Sequence, residues 1–205
     1  MASLRYLIVA CGIYNSMANL EIFTQRFSAD PAPLVIGDRV YIYTSHDTNT
    51  QTGYYMIDYN CFSSDDLVNW RDEGIVFSIL NQSWGMYAWA QQVIFNPHTQ
   101  LYTMFYPGMN ARAAPASNAT GTGVATSASP TGPFNDALGY PILPCGDDPT
   151  VFIDDDGTII LCGKDHQVGV VSAGMVGYFL LAIAFECRQL RRGALRDAQR
   201  RHAFF

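Results

Sequence analysis

Short apolar or alternating runs recur between residues 30 and 165, and turn-forming residues separate them. The runs are Leu34–Ile36, Val40–Tyr43, Tyr54–Ile57, Gln92–Phe95, Leu101–Tyr106, Val151–Ile153 and Thr158–Leu161. Gly-Asp, Asn-Pro and Asp-Gly pairs stand between several of them. Runs of this length with such breaks predict β-strands joined by hairpins. No long stretch with a helical period interrupts them, so the pattern favours an all-β sandwich, barrel or propeller over a parallel βαβ architecture.

The hairpin pattern repeats along the chain. A tight turn followed by a strand rich in Tyr, Phe or Ile occurs around Gly37, Pro97 and Gly157. This spacing of about sixty residues suits the four-stranded blades of a β-propeller. About two and a half to three such blades fit into residues 19–167, whereas a propeller closes into a ring to hide its strand edges. The sequence therefore predicts a partial propeller, followed by an apolar C-terminal segment that could be helical.

The two ends of the chain differ in composition from residues 19–167. Residues 1–18 contain a single Arg, an apolar run and then small residues, which is typical of a secretory signal peptide; a buried first strand is the alternative. Residues 168–185 carry no charge and precede the Arg-rich tail 186–205, as in a membrane-spanning helix with a cytoplasmic flank. A buried pair of strands, or an aberrant tail that does not belong to the fold, is the other interpretation. We therefore expect a secreted protein or, alternatively, a membrane-anchored one with an extracellular propeller.

Composition narrows the class of protein further. Hydrophobic residues make up 49% of the 205 residues and charged residues 15%, which argues for a globular chain with a real core. The net charge is −6, and six Arg lie in the last twenty residues, so the main body is more acidic than the whole. Nucleic acid is therefore not an expected partner. Two sequons, at Asn81 and Asn118, are compatible with secretion.

Five acidic residues crowd the stretch 147–157, DDPTVFIDDDG. Its spacing does not match a calcium-binding EF-hand loop, so we interpret 154–157 as a hairpin turn. Asp148 differs, because it precedes Pro149 just before a strand, and Asp30 precedes Pro31 in the same way. The pre-proline restriction predicts an extended backbone at both. In a propeller the two would face each other near the axis, and paired carboxylates are what glycoside hydrolysis uses.

Five collinear stretches cover most of residues 20–165: ADPAPLVIGDRVYIYTSHD (29–47), FSSDDLVNWRDEG (62–74), AWAQQVI (88–94), GVATSASPTGPFNDALGYPIL (123–143) and DDPTVFIDDDG (147–157). Together they resemble glycoside hydrolase family 43, five-bladed propellers that act on arabinose- and xylose-containing plant polysaccharides. Within the family they are most similar to the arabinoxylan arabinofuranosidase and β-xylosidase group. The resemblance implies a five-bladed propeller, of which this chain holds a part, and an inverting hydrolase. We expect no cofactor, and no metal either, because the propeller metal that some relatives have would depend on blades that are not present.

The resemblance also implies roles for particular residues. Asp30 matches the family's general base, which takes a proton from the attacking water. Asp148 matches the second Asp, which raises the pKa of the acid and orients it. Four further residues fall where the family lines its sugar pocket: His46, Asp47, Phe62 and Trp89. The implied partner is a plant cell-wall polysaccharide or oligosaccharide, such as arabinoxylan, arabinan or a xylo-oligosaccharide.

The chain departs from the family's pattern at the third acid, a Glu that protonates the leaving oxygen. The glutamates present are Glu21, Glu73 and Glu186, and none stands in the matching context. Without a proton donor a glycosidase loses on the order of 10²–10⁴ in rate. We therefore expect an impaired hydrolase, or alternatively a non-catalytic or vestigial glycan-binding fragment that could be anchored to a membrane through 168–185.

Overall fold

The fold was analysed in a computed structural model, which describes residues 26–48, 55–109, 120–142, 148–155, 158–163 and 167–171. Within these residues the chain is built of β-strands, with one turn of 3₁₀ helix at Ile79–Asn81. The all-β prediction is confirmed. The strands form three antiparallel sheets, which we call blades I, II and III in chain order.

Each blade follows the order of the chain. Blade I has the order β1-β2-β3-β4, with strands β1 (Ser28–Ile36), β2 (Arg39–Asp47), β3 (Met56–Ser64) and β4 (Arg71–Ser78). Blade II has the order β5-β6-β7-β8, with strands β5 (Gln92–Asn96), β6 (Leu101–Met109), β7 (Thr120–Ser127) and β8 (Asn135–Asp136). Blade III has the order β9-β10-β11, with strands β9 (Thr150–Ile153), β10 (Ile159–Gly163) and β11 (Gln167–Val171). The predicted hairpins around Gly37 and Pro97 join the first two strands of blades I and II. In blade III β9 pairs with β10, and the predicted turn at Gly157 lies outside the described residues.

Blade II lies between the other two and is buried on both faces. Successive side chains of a strand point to opposite faces, so neighbours along one strand enter different cores. Val93 packs with blade I, whereas the next residue, Ile94, packs with blade III. Met104 and Phe105 divide between the two cores in the same way. Face-to-face packing of successive four-stranded sheets is the arrangement of propeller blades.

The first strand of each blade lies nearest the others. Strand β1 contacts β5, and β5 contacts β9. The first strands of the three blades therefore stand side by side, as the innermost strands of a propeller do. Tyr43 also joins blades I and II, because its hydroxyl donates to the carbonyl of Pro130 over 2.6 Å. Burial raises the pKa of Tyr43 well above its usual range, so the hydroxyl keeps the proton that it donates.

Several polar residues of the stretch 62–74 stabilise the hairpin turn between β3 and β4. Asp66 accepts hydrogen bonds from the backbone N–H groups of Val68 and Asn69, at 2.9 and 2.7 Å. These bonds, led by the one from Asn69, hold the pKa of Asp66 below its usual range. Leu67 takes a positive φ of 60° in the same turn. This acidic turn closes β3 onto β4 and is a structural element.

Four strands carry no strong sequence signal. Strand β4 begins with charged residues and contains Gly74 at φ 90°. Strand β7 reads TGTGVATS, and β8 has only two residues. Gly in a strand lowers its intrinsic preference, so tertiary packing decides these elements. Strand β11 overlaps the apolar segment 168–185, for which the sequence suggested a membrane-spanning helix.

The segment 168–185 is corrected in its first part. Residues 168–171 lie in β11 and pair with β10, so they are strand and not helix. A strand forms there because β11 pairs with β10, whose edge offers backbone N–H and C=O groups at alternate residues. In the part of the chain that the structure describes, no helix is long and apolar enough to cross a membrane. The predictions for 1–18, 172–185 and 186–205 lie outside the described residues.

The packing of blade II on Trp84 gives a test of the fold. A Cβ on Gly123 would lie 2.5 Å from both Trp84 Cζ2 and Tyr106 Cζ. We expect Gly123→Ala to lower the free energy of unfolding by about 1–3 kcal/mol, because two large buried rings must shift. Gly108→Ala is the control: its Cβ comes no closer than 3.1 Å, to the flexible end of Ile79. Urea unfolding of the two variants measures the difference, and equal costs would contradict this packing.

Candidate active site

The three first strands begin at the same edge of their blades, which we call the rim. In blade I, Ser28 at the start of β1 pairs with His46 near the end of β2, so both lie at the rim. The N–H of Ala88, just before β5, donates to the carbonyl of Met56 at the start of β3 over 2.8 Å. The Val151 N–H in β9 donates to Gln92 Oε1 at the start of β5 over 2.7 Å. These contacts connect the three blades along one edge.

Asp30 lies at the rim in a β-bulge. Ala29 pairs with Ser45 and Ala32 with Tyr43, so Asp30 and Pro31 together oppose a single residue of β2. The φ of Asp30 is 52°, in the left-handed region. A bulge of this kind re-aims a side chain and is common next to active sites. The exposed carboxylate of Asp30 accepts a hydrogen bond from Ser45 Oγ over 2.8 Å.

Asp148 repeats this conformation in blade III. Its φ is 49°, and it lies exposed two residues before β9. The prediction of an extended backbone at Asp30 and Asp148 is therefore wrong for both. Asp tolerates the left-handed region better than most residues, which reduces the cost of this conformation. Backbone strain of this type concentrates at functional sites, and here it recurs at matching positions of two blades.

His46 and Asp47 close β2 at the rim beside this bulge. The Nδ1 atom of His46 lies 2.6 Å from Asp58 Oδ1 in β3. Asp47 N donates to the carbonyl of Phe27 over 3.3 Å, which ties the end of β2 to the chain just before β1. His46 and Asp47 are half-buried, so part of each side chain reaches solvent.

A row of aromatic rings continues the rim toward blade II. Trp89 and Tyr87 are stacked, with centroids 5.4 Å apart and planes 4° apart. Tyr87 meets Tyr55 edge to face at 5.8 Å. Tyr55 is 44% exposed, and the other two rings are half-buried. Flat, partly exposed rings beside polar groups offer a sugar both a stacking face and hydrogen bonds.

Phe62 and Glu73, which the sequence analysis considered, do not contribute to the rim. Phe62 is only 1% exposed, so its ring offers no surface to a sugar in this structure. Glu73 lies on β4, where its Oε1 atom accepts a hydrogen bond from Ser63 Oγ over 2.6 Å. Its Oε2 atom lies 3.5 Å from Arg71 Nε. Strand β4 is three inter-strand spacings from β1, or about 14 Å. Glu73 is therefore a structural carboxylate and not a partner of Asp30.

Three rim residues were not singled out from the sequence: Ser45, Asp58 and Tyr87. Asp58 had the clearest signal, because it is a lone carboxylate within the apolar stretch YYMIDYNCF. A buried charge in a strand needs a partner, and His46 is that partner. Ser45 and Tyr87 gave no such signal, since a Ser in a strand and a Tyr in a loop are common.

The fold and the rim together resemble those of a propeller-type glycoside hydrolase. Successive antiparallel sheets pack face to face around their first strands, which makes a partial β-propeller. Its rim carries two strained aspartates, a His–Asp pair and stacked aromatic rings. Carboxylates that act on water and rings that hold a sugar are the groups that glycoside hydrolysis requires.

Comparisons with known proteins give the family. The sequence model of glycosyl hydrolases family 43 matches residues 22–176. The chain is 29% identical over 180 residues to an arabinoxylan arabinofuranohydrolase of Bacillus subtilis (strain 168). The match covers 73% of this chain and 33% of that relative. It is 30% identical over 153 residues to xylosidase/arabinosidase 43A of Humicola insolens, covering 67% of the chain and 43% of that relative. The chain belongs to glycosyl hydrolase family 43.

A solved structure supports the same placement. An α-L-arabinofuranosidase from Clostridium thermocellum ATCC 27405 superimposes with a TM-score of 0.58 at 35% identity, over 76% of this chain and 55% of that one. The resemblance inferred from the five stretches is therefore confirmed. The chain spans about a third to just over half of the length of these three proteins.

The bulge at Asp30 predicts how its substitutions affect stability. We expect Asp30→Ala to lower the free energy of unfolding by about 1–2 kcal/mol, because Ala is strained at a positive φ. Asp30→Asn should stay within about 0.5 kcal/mol of the wild type, because Asn tolerates that region and still accepts from Ser45. Asp38→Ala, at an exposed turn position without a positive φ, is the control. Denaturant unfolding measures all three, and a destabilised Asp30→Asn chain would argue against this account of the bulge.

Proposed function

We propose that this chain carries the water-activating part of an inverting glycosidase site for arabinofuranosyl or xylosyl linkages in plant polysaccharides. Asp30 is the general base, and Asp148 is the second carboxylate, which orients the acid and raises its pKa. His46, Asp47 and Trp89 bind the sugar. The observation that carries the proposal is the matching pair of aspartates at positive φ where the first strands of blades I and III begin.

The surroundings of Asp30 suit a general base. Its carboxylate is exposed, so water can reach it, and only one hydrogen bond, from Ser45, holds it in the described residues. A general base must lie within hydrogen-bond reach of the water that it activates and must keep a free lone pair. A carboxylate has about four lone-pair sites, so the bond from Ser45 orients Asp30 and leaves acceptor capacity for water.

The names of the relatives support the substrate class. The Bacillus subtilis relative is an arabinoxylan arabinofuranohydrolase, and the Humicola insolens relative is a xylosidase/arabinosidase. Both names specify pentose sugars, and the first names arabinoxylan as the polymer. A polymer of that kind is met outside the cell, which is why we also propose that the protein is secreted.

Proton donation is the weak step of the proposed reaction. Among the described residues, Glu73 is the only Glu, and it is bonded on the outermost strand of blade I. The leaving oxygen would therefore depart without help from this carboxylate, at a cost on the order of 10²–10⁴ in rate. Substrates whose leaving group needs no proton are least affected. Aryl glycosides with a p-nitrophenol leaving group are therefore the appropriate probes.

The first test measures the role of Asp30. We expect the purified chain to release p-nitrophenol from the α-L-arabinofuranoside or the β-D-xyloside, and Asp30→Asn to lower that rate on the order of 10²–10⁴-fold. Asn keeps the shape and the left-handed backbone but cannot take a proton from water. Asp38→Asn, which removes an exposed charge from the β1–β2 turn, should leave the rate unchanged.

Two results would go against the enzyme. An Asp30→Asn chain that is as active as the wild type would exclude Asp30 as the base. A wild-type chain that binds xylo- or arabino-oligosaccharides without any turnover would favour the non-catalytic, glycan-binding alternative. The partly exposed Tyr87–Trp89 stack is the observation that favours this second function.

Sugar binding is tested at Trp89. We expect Trp89→Ala to weaken the affinity for xylo- or arabino-oligosaccharides on the order of tenfold, because the stacking face is lost. Trp70→Ala is the matched control, since Trp70 lies in the turn between β3 and β4, where its Nε1 donates to the carbonyl of Leu67. Calorimetric titration of each variant gives the affinities. Equal losses in both variants would mean that Trp89 has no specific role in binding.

A further inference from the structure

Asp58 is a carboxylate inside blade I that the mechanism above does not use. Its side chain is 12% exposed, and its Oδ1 atom lies 2.6 Å from His46 Nδ1. A nearly buried carboxylate must be paired or hydrogen-bonded to be tolerated. His46 is 26% exposed, so one side of this pair is closed and the other reaches solvent.

The register of β2 and β3 brings the two residues together, next to a second β-bulge. Ser45 pairs with Tyr59 and Asp47 pairs with Met56, so His46 alone opposes the two residues Ile57 and Asp58. Because Ser45 pairs with Tyr59, Asp58 is the next residue across from His46, and side chains that oppose each other in this way lie on the same face of the sheet. The bulge at Asp30 lies on the other side of the same part of β2. The end of β2 therefore has one bulge against each neighbouring strand.

The two bulges connect His46 with the proposed base. Ser45 holds Asp30 through its hydroxyl, and the next residue, His46, is held by Asp58. His46 pairs with Ser28, two residues before Asp30. His46 and Asp30 therefore both lie at the rim, where the proposed function places the sugar.

The chemistry of the pair fixes what His46 can offer that sugar. An ionised carboxylate only accepts hydrogen bonds, so Nδ1 of His46 must carry the proton in their contact. In the neutral ring Nε2 then has a lone pair and no proton. The ring nitrogen that remains for a ligand is an acceptor, which matches a donating sugar hydroxyl.

We propose that Asp58 is a positioning residue, which holds His46 as the Nδ1–H tautomer so that Nε2 accepts a hydrogen bond from a hydroxyl of the pentose. The proposal rests on the proposed function, because it needs a sugar at the rim. A merely structural ion pair would stabilise blade I and leave recognition of the sugar unaffected.

The test combines a spectroscopic measurement with binding. In ¹⁵N-labelled protein, long-range ¹H–¹⁵N spectra distinguish the tautomers of His46, whose signals are assigned by their loss in His46→Gln. We expect the wild type to show protonated Nδ1 and bare Nε2. In Asp58→Asn the side-chain amide can donate to Nδ1, so the proton should move to Nε2 in a measurable share of the molecules. Affinity for the pentose oligosaccharide should fall about tenfold.

A double-mutant cycle separates positioning from structure. If Asp58 acts through His46, Asp58→Asn should cost no further affinity once His46→Gln is present. Asp65→Asn is the control, because Asp65 also pairs with a cation, Arg39, but lies in the turn at the opposite edge of blade I. It should change neither the tautomer nor the affinity.

Each result decides one claim. An unchanged tautomer in Asp58→Asn, or a changed tautomer with unchanged affinity, would overturn the role of Asp58. Full additivity of the two substitutions would overturn it as well. A wild-type chain that binds no pentose oligosaccharide would overturn the proposed function, and the tautomer measurement would still decide whether Asp58 controls His46. Should Asp58→Asn unfold, the wild-type tautomer and the affinity of His46→Gln remain decisive: bare Nδ1, or no loss of affinity, would overturn the proposal.

Discussion

The two-residue period of the blade II strands is the constraint on which the rest of the structure depends. Val93 and Ile94 are neighbours in β5, yet one enters the core shared with blade I and the other the core shared with blade III. A shift of one residue would exchange every side chain between these cores. Because both faces of blade II are buried, its register is fixed, and with it the alignment of β1, β5 and β9. The rim exists because these first strands start together.

The residues with proposed roles lie where the regular ladder is interrupted. Asp30 and Asp58 each lie at a β-bulge, and Asp30 and Asp148 each take a positive φ. Such features cost stability and persist when the surrounding structure over-determines them. Here the closely packed rings of Tyr43, Tyr59 and Phe77 lie in the core shared by blades I and II. That core holds the strands while their ends depart from regular geometry.

The sequence could predict the strands that have strong local patterns and could not predict the strained backbone. The runs around Val40 and Leu101 are β-branched or aromatic and end at turn residues, so their hairpins followed directly. Strand β7, which is rich in Gly and Thr, exists because β6 and the buried Trp84 select it. The pre-proline rule predicted an extended backbone at both aspartates, whereas both take a positive φ, and Asp30 does so within a β-bulge. Likewise, the partner of Asp58 depends on the register of β2 against β3, which no local pattern encodes.

The two aspartates depend on different parts of the fold. Within the described residues, the side-chain hydrogen bonds to Asp30 and His46 come from blade I, through Ser45 and Asp58. Asp148 instead precedes a strand that is attached to blade II by Gln92 and by the core of Ile94, Val151 and their neighbours. The side-chain geometry of Asp30 is therefore set by a contact within blade I. The separation of the two carboxylates is set by how blades II and III pack, so changes in that core alter the second carboxylate before they reach the first.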